Sequence, residues 1–387
     1  MDFELQWLLL GLPLAFALGW LASRIDLRQW KREQRESSQT YLKGLNLLLN
    51  EQQDKAIDTF IEVVQNDPDS TELHFSLGNL FRRRGEYERA VRLHAFLLGR
   101  AGLPRADRER AQAALAQDFM KAGLFDRAEQ AYRALEGTRF DTDARLALLA
   151  LHERSRDWRT AIDVARKLEQ SGAASFASRI AHYWCEIAHD ADARGQTDAA
   201  VEALTQAREV DPQAPRPLVM LGRRHARDGA HAQAMQTFGE LLVANRASFN
   251  LVALEFAASA RACGRDAAAL EQLDSAYRTE PSLDLLSAIG QLDSDARRQR
   301  ERLTLHLAAH PALSAAQQLL SLGTGQGAAP LAGPEVQAIV AALEQGARPL
   351  QRYRCAACGF EGQHHFWQCP GCMAWDSYPT QRLEDLA

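Results

Sequence analysis

The chain has 387 residues, of which 46% are hydrophobic and 25% charged, with a formal net charge of −5. That length and balance allow two or three domains with buried cores and exclude wholesale disorder. The acidic balance argues against non-specific nucleic-acid binding, and six cysteines are too few for a disulfide scaffold in so long a chain.

The first element predicted is a membrane anchor. Leu5 to Ser23 (LQWLLLGLPLAFALGWLAS) carries no charge, and a helix of about 20 apolar residues crosses the hydrocarbon core. Trp7 and Trp20 stand near its ends, where indole rings favour the headgroup zone. Asp2 and Glu4 precede it, and Arg24, Arg28, Lys31, Arg32 and Arg35 follow. A basic flank stays on the cytoplasmic side, so the reading is a single-pass anchor over residues 1–23, a basic juxtamembrane segment over 24–36, and the bulk of the chain in the cytoplasm. An acidic start speaks against a cleaved signal peptide.

A repeat follows. Units starting at Ser37, Thr71, Glu109, Thr142, Ala181, Pro215 and Asn250 are 33 to 39 residues apart. Position 20 is alanine in every unit, from Ala56 and Ala90 to Ala269, and sets the register. Position 8 is small in six of seven units, as in Gly78 and Gly222, with Leu149 the exception. Position 24 is usually bulky, as in Phe60, Tyr132, Leu204, Phe238 and Leu273, which suggests side chains filling the gaps between neighbouring units. Gly85, Gly123, Gly195, Gly229 and Gly264 stand at position 15, where the end of a first helix needs a left-handed residue. Pro68, Pro212 and Pro281 close second helices. This is the tetratricopeptide pattern of two antiparallel helices per unit, and such units stack into a solenoid that binds other proteins. The fold class expected is therefore all-α: a superhelical solenoid over residues 37–322, with 284–322 as one further degenerate helix pair. A loop-and-helix linker spans 323–346, its glycine-rich part running from Gly323 to Gly333 and its helix from about Pro334 to Gln345.

No phosphate-binding loop, nucleophile elbow or metalloprotease motif is present, and no catalytic residue is assigned. The charged runs Arg82-Arg83-Arg84 and Arg223-Arg224 read as solvated helix ends. Cys185 and Cys263 read as small buried core residues.

The last predicted element is a metal-binding module over residues 347–380, before a tail at 381–387. Cys355, Cys358, Cys369 and Cys372 form C-x2-C-x10-C-x2-C. Two such turns brought together by a hairpin close a tetrahedral four-thiolate site for one ion, zinc or iron alike. Gly359 suits the left-handed residue that such a turn needs, and Pro370 stiffens the second turn. His364 and His365 are surplus to four ligands and read as surface residues. Tyr353, Phe360, Phe366, Trp367, Trp375 and Tyr378 crowd a module too small to hold itself by core alone. The expectation is that the module folds back onto the repeat helices, with Trp367 and Trp375 as docking contacts.

From Tyr353 to Trp375 the sequence (YRCAACGFEGQHHFWQCPGCMAW) is similar to rubredoxin, though Met373 stands where rubredoxin has glycine and the span between pairs is shorter. Electron transfer is accordingly doubtful and a structural site preferred. The order of anchor, tetratricopeptide solenoid and rubredoxin-like knuckle resembles the lipopolysaccharide assembly protein B family over the whole chain. The resemblance implies a non-enzymatic adaptor of the bacterial inner membrane. Such an adaptor presents the deacetylase that commits flux to lipid A to a membrane-bound AAA+ protease, and is linked to an inner-membrane lipopolysaccharide sensor and to the export proteins. It also implies iron as the metal, and leaves room for a homo-oligomer. The alternatives from the residues alone are a membrane-anchored electron carrier, a nucleic-acid-binding zinc ribbon, which the acidic balance and anchor disfavour, and a generic protein scaffold.

Overall fold

The structure is a computed structural model that describes residues 70–323 and 334–386, with short helical stretches at 46–47, 55–59 and 61. The anchor at 1–23, the basic segment at 24–36, most of the first repeat and the hinge after Gly323 lie outside the described residues. Among the described residues no helix is long and apolar enough to cross a membrane. The chain divides into two compact units, Met1–Arg156 and Asp157–Ala387.

The first unit contains α1 (Thr71–Arg83), α2 (Tyr87–Leu98), α3 (Arg105–Lys121), α4 (Phe125–Arg133) and α5 (Asp141–Ser155). The second contains α6 (Trp158–Gln170), α7 (Ala177–Ala193), α8 (Thr197–Val210), α9 (Pro215–Arg227), α10 (His231–Ala244) and the single turn α11 (Arg246–Phe249), which runs through a short 3-10 segment into α12 (Ala253–Ala262). It continues through α13 (Asp266–Thr279), α14 (Leu283–Leu292), α15 (Ala296–Ala309), α16 (Leu313–Gly323) and α17 (Pro334–Ala347). Two short strands, β1 (Tyr353–Arg354) and β2 (Glu361–Gly362), pair antiparallel, and α18 (Leu383–Leu386) ends the described chain.

The seven position-20 alanines are all 0% exposed, because a larger side chain there would push the two helices of a unit apart. The small residue at position 8 has a more specific cause. A Cβ added at Gly222 would lie 2.3 Å from Cε1 of Phe238, and one added at Gly78 would lie 2.4 Å from Nε2 of His94. The ring at position 24 therefore seats over position 8 of its own unit, rather than only bridging to the next. Phe238 then joins Phe249, Phe256, Leu273, Leu285 and Ile289 in one buried cluster. Fully burying such a side chain contributes about 1.5–3 kcal/mol.

The five turn glycines at position 15 all have left-handed backbone, φ +64° to +80°. In the fourth unit the same position is Arg156, at φ 57°, where a side chain makes the turn costly.

Residues 284–322 form three helices, α14, α15 and α16, and not one pair. Asp295 starts α15 by accepting from the backbone N–H groups of Arg297 and Arg298, and Pro311 prevents α15 from running into α16. The predicted linker helix is present as α17, and it packs against α16.

Candidate metal centre

The module consists of two turns of the same form. In the first, the Cys355 N–H donates to the Phe360 carbonyl at 2.9 Å and the Gly359 N–H to the Cys355 carbonyl at 2.8 Å. In the second, the Cys369 N–H donates to the Ala374 carbonyl at 2.9 Å and the Met373 N–H to the Cys369 carbonyl at 2.8 Å. Gly359 and Met373 hold the equivalent left-handed position, at φ 77° and 61°. The β1–β2 pair sets the first turn and a bridge between Gln368 and Trp375 sets the second.

The two turns bring the sulfurs of Cys355, Cys358, Cys369 and Cys372 within 4.8 Å of one another. Cys355 to Cys372 is 3.8 Å and Cys358 to Cys369 is 3.6 Å. Metal–sulfur bonds of about 2.3 Å in a tetrahedron require sulfurs about 3.8 Å apart, so the spacing fits one ion of that size. Cys355 and Cys369 are buried, Cys358 and Cys372 exposed. The Ser377 hydroxyl and the turn amides draw Cys355 down to about 6. For Cys358 the Phe360 amide lowers the value, but partial desolvation beside the cluster and the three neighbouring sulfurs push it up to about 12. Four thiolates at this spacing repel one another, and a dication removes that repulsion. A closed four-thiolate set leaves no coordination position for substrate, so its chemistry is structural or one-electron, and not hydrolytic.

The module is fastened to the solenoid. The Trp375 indole lies on the His182 imidazole of α7, with ring centroids 4.8 Å apart and planes 20° apart. It meets Tyr183 and Trp158 edge-on, and the Arg216 guanidinium lies 5.9 Å from its centroid. Asp376 accepts from Nε2 of His182 at 2.7 Å and from the Ser178 hydroxyl at 3.2 Å. Those hydrogen bonds, with His182 and Arg216 nearby, hold its carboxyl below the usual range against the opposing effect of burial. Trp367 packs against the Phe238–Ile289 cluster. Both tryptophans expected to dock do so.

The tail docks as well. Glu384 accepts from the Ser314 N–H at 2.8 Å and the Ser314 hydroxyl at 2.5 Å, and Asp385 from the Leu283 N–H at 2.9 Å. Each carboxylate thus meets the first turn of a helix, α16 or α14, where backbone donors lack partners. Arg382 pairs with Asp284 at 3.2 Å.

Four sequence expectations change here. His365 is not a surface residue: its Nε2 donates to the Tyr378 carbonyl at 3.2 Å, and its ring packs edge-on against Trp367 and Tyr353. Burial pulls its pKa down to about 4. His364 is exposed, as expected. Cys263 is half-buried at the end of α12, while Cys185 is buried and its thiol pushed up to about 12. Arg82 pairs with the fully buried Asp118 at 3.0 Å, which also holds Nδ1 of the buried His94 at 2.5 Å. Arg224 is buried against Asp192. These two guanidinia compensate partly or fully buried carboxylates instead of lying on a solvated face, whereas Arg83 and Arg84 are exposed. His182, Arg216, Asp376 and Glu384 were not singled out from the sequence. His182 and Asp376 are 194 residues apart, and no spacing pattern connects them.

Family models match the same parts. One described as a rubredoxin metal binding domain covers residues 353–378, and a tetratricopeptide repeat model covers 41–95 and 185–248. Curated relatives named lipopolysaccharide assembly protein B match end to end. That of Escherichia coli is 31% identical over 99% of this chain and 100% of its own length, and that of Haemophilus influenzae 27% identical over 96% and 97%. With a repeat solenoid, a docked four-cysteine module and a full-length relative at this identity, the chain belongs to the lipopolysaccharide assembly protein B family.

Proposed function

We propose that the protein is a non-enzymatic adaptor of the bacterial inner membrane, anchored by residues 1–23 with its bulk in the cytoplasm, that regulates lipopolysaccharide synthesis. In this reading it presents the lipid A-committing deacetylase to a membrane-bound AAA+ protease, and answers to an inner-membrane lipopolysaccharide sensor and the export proteins. Cys355, Cys358, Cys369 and Cys372 hold one structural metal ion, zinc or iron, whose chemistry is to fix the two turns. Residues 37–322 act as the solenoid, 323–346 as the linker and 347–380 as the metal module.

One observation carries the reading. The module is bound to the solenoid through Trp375, Trp367 and Asp376, so the metal site serves the shape of a binding scaffold. An electron carrier has no need to bury its module against a repeat array. Deleting the gene tests the adaptor role: the deacetylase should accumulate and its half-life lengthen, as it should on deleting residues 1–23 alone, because co-localisation raises effective concentration without new contacts. Unchanged deacetylase turnover in both strains would leave the generic scaffold as the better reading.

A further inference from the structure

The four cysteines of the module are not equivalent. Cys355 and Cys369 are buried, while Cys358 and Cys372 are exposed, one in each turn. The exposed stretches of those turns, 356–360 and 370–373, contain no charged residue. A small neutral reagent thus reaches both sulfurs without crossing a charged rim. Across the two turns, exposed and buried sulfurs are paired. Cys372 lies 3.8 Å from Cys355, and Cys358 lies 3.6 Å from Cys369. Each accessible sulfur therefore has an inaccessible one of the opposite turn beside it. Cys185 is differently placed: burial pushes its thiol up to about 12, and a protonated thiol is a poor nucleophile.

The second turn connects these sulfurs to the solenoid. The Met373 N–H donates to the Cys369 carbonyl at 2.8 Å and the Cys369 N–H to the Ala374 carbonyl at 2.9 Å. A bridge between Gln368 and Trp375 continues the same turn. Trp375 and Asp376, which hold His182 of α7, follow directly. In so small a module the turn is ordered by its metal, so loss of ligands withdraws the support of both docking residues.

We infer that Cys358 and Cys372 are a modification site for hydrogen peroxide, and that their oxidation undocks the module from the solenoid. An exposed thiolate attacks one peroxide oxygen and the O–O bond breaks. Hydroxide leaves and takes up a proton to become water, and the cysteine is left as a sulfenic acid. The buried thiolate of the opposite turn then attacks that sulfur. The S–S bond forms, the S–O bond breaks, and the second oxygen leaves as hydroxide and is protonated to water. Two thiolates lose two electrons, and one peroxide with two protons becomes two waters. The disulfide removes two of the four thiolates that hold the ion. A thiol reductant reverses the change, because neither sulfur passes beyond the disulfide. The inference rests on the reading of the four cysteines as a metal site. It adds that the two exposed members make the module's hold on α7 sensitive to oxidant.

The test treats the full chain, loaded with zinc in detergent micelles, with hydrogen peroxide beside a chromogenic chelator. The chain should lose its one zinc. Mass spectrometry after alkylation should find Cys355 joined to Cys372 or Cys358 joined to Cys369, and hydrogen exchange should rise in α7. Reductant with added zinc should restore the native state. Trp375→Ala should lose zinc to the same peroxide with no further rise in α7, because its docking is already released. Zinc retained under conditions that oxidise N-acetylcysteine in a parallel tube overturns the inference. So do disulfides formed only within single turns, or zinc loss with exchange in α7 unchanged. Those three outcomes leave the metal site standing, whereas a native chain that holds neither zinc nor iron before treatment sinks the metal reading and this inference together.

Discussion

The indole of Trp375 lies flat on the imidazole of His182, 4.8 Å between centroids, and the next residue, Asp376, accepts a hydrogen bond from the same imidazole. Two consecutive residues of the metal module thus hold one histidine of α7. Asp376 reaches it from a left-handed backbone, φ 50°, and that turn lets adjacent side chains address one ring.

Trp375→Ala should release the module's docking while keeping its metal. Trp375 is half-buried, so deleting its indole should cost less than the about 3–5 kcal/mol of a fully buried one, and the four cysteines do not depend on it. Hydrogen exchange should rise in α7 and around residues 366–378, with unchanged metal content. Exchange in α7 identical to that of the native protein would show that the stack contributes nothing.

The metal module should lose stability in mild acid because of His365. Burial holds its folded pKa near 4, against about 6.5 unfolded. The unfolded chain takes up a proton that the native chain resists. The contribution is therefore fully present above pH 6.5 and is lost as the pH falls towards 4, by about 3 kcal/mol in all. His365→Gln retains a donor for the Tyr378 carbonyl without the titration. The difference between the stability profiles of native and variant protein from pH 7 to 4, at equal metal content, should show this slope. Parallel profiles would refute it.

Replacing any of Cys355, Cys358, Cys369 or Cys372 with serine should abolish stoichiometric metal and unfold the module, because binding and folding free energy are coupled in so small a unit. Elemental analysis of the native chain should give one zinc or iron per molecule. A serine variant with full metal content would remove that residue from the ligand set.

Gly222→Ala should destabilise by about 1–3 kcal/mol, since the added methyl meets a Phe238 ring with no room to retreat. Adding Phe238→Leu should cost less than the sum of the two single changes, as contacting sites are not additive. Urea unfolding of the single and double variants measures this, and strict additivity would mean that the ring does not rest on position 8.

Arg156→Gly and Met373→Gly should each stabilise by up to about 1 kcal/mol, because both residues hold left-handed backbone and the strain removed exceeds the entropy added to the unfolded chain. Thermal midpoints should rise, that of the module for Met373 and that of the first unit for Arg156. A fall in either would show that the native side chain makes contacts worth more than the strain.

The sequence by itself determined what depends on local spacing. The alanines at position 20 and the glycines at position 15 specify helix pairs, because close helix approach and a left-handed turn are short-range demands that few residues meet. The C-x2-C turns specify a four-sulfur site for the same reason. Three things were decided only by the tertiary structure: which ring covers Gly222, that His365 is half-buried against Trp367 and Tyr353, and that Asp376 pairs with His182. Each joins groups whose identity is unremarkable in its own neighbourhood. The pairing energy arises from burial and hydrogen bonds formed on folding: within one repeat unit for Gly222 and Phe238, within the module for His365, and between module and solenoid for Asp376. Each contact exists only once the chain around it has folded, so no residue type at either end announces the other.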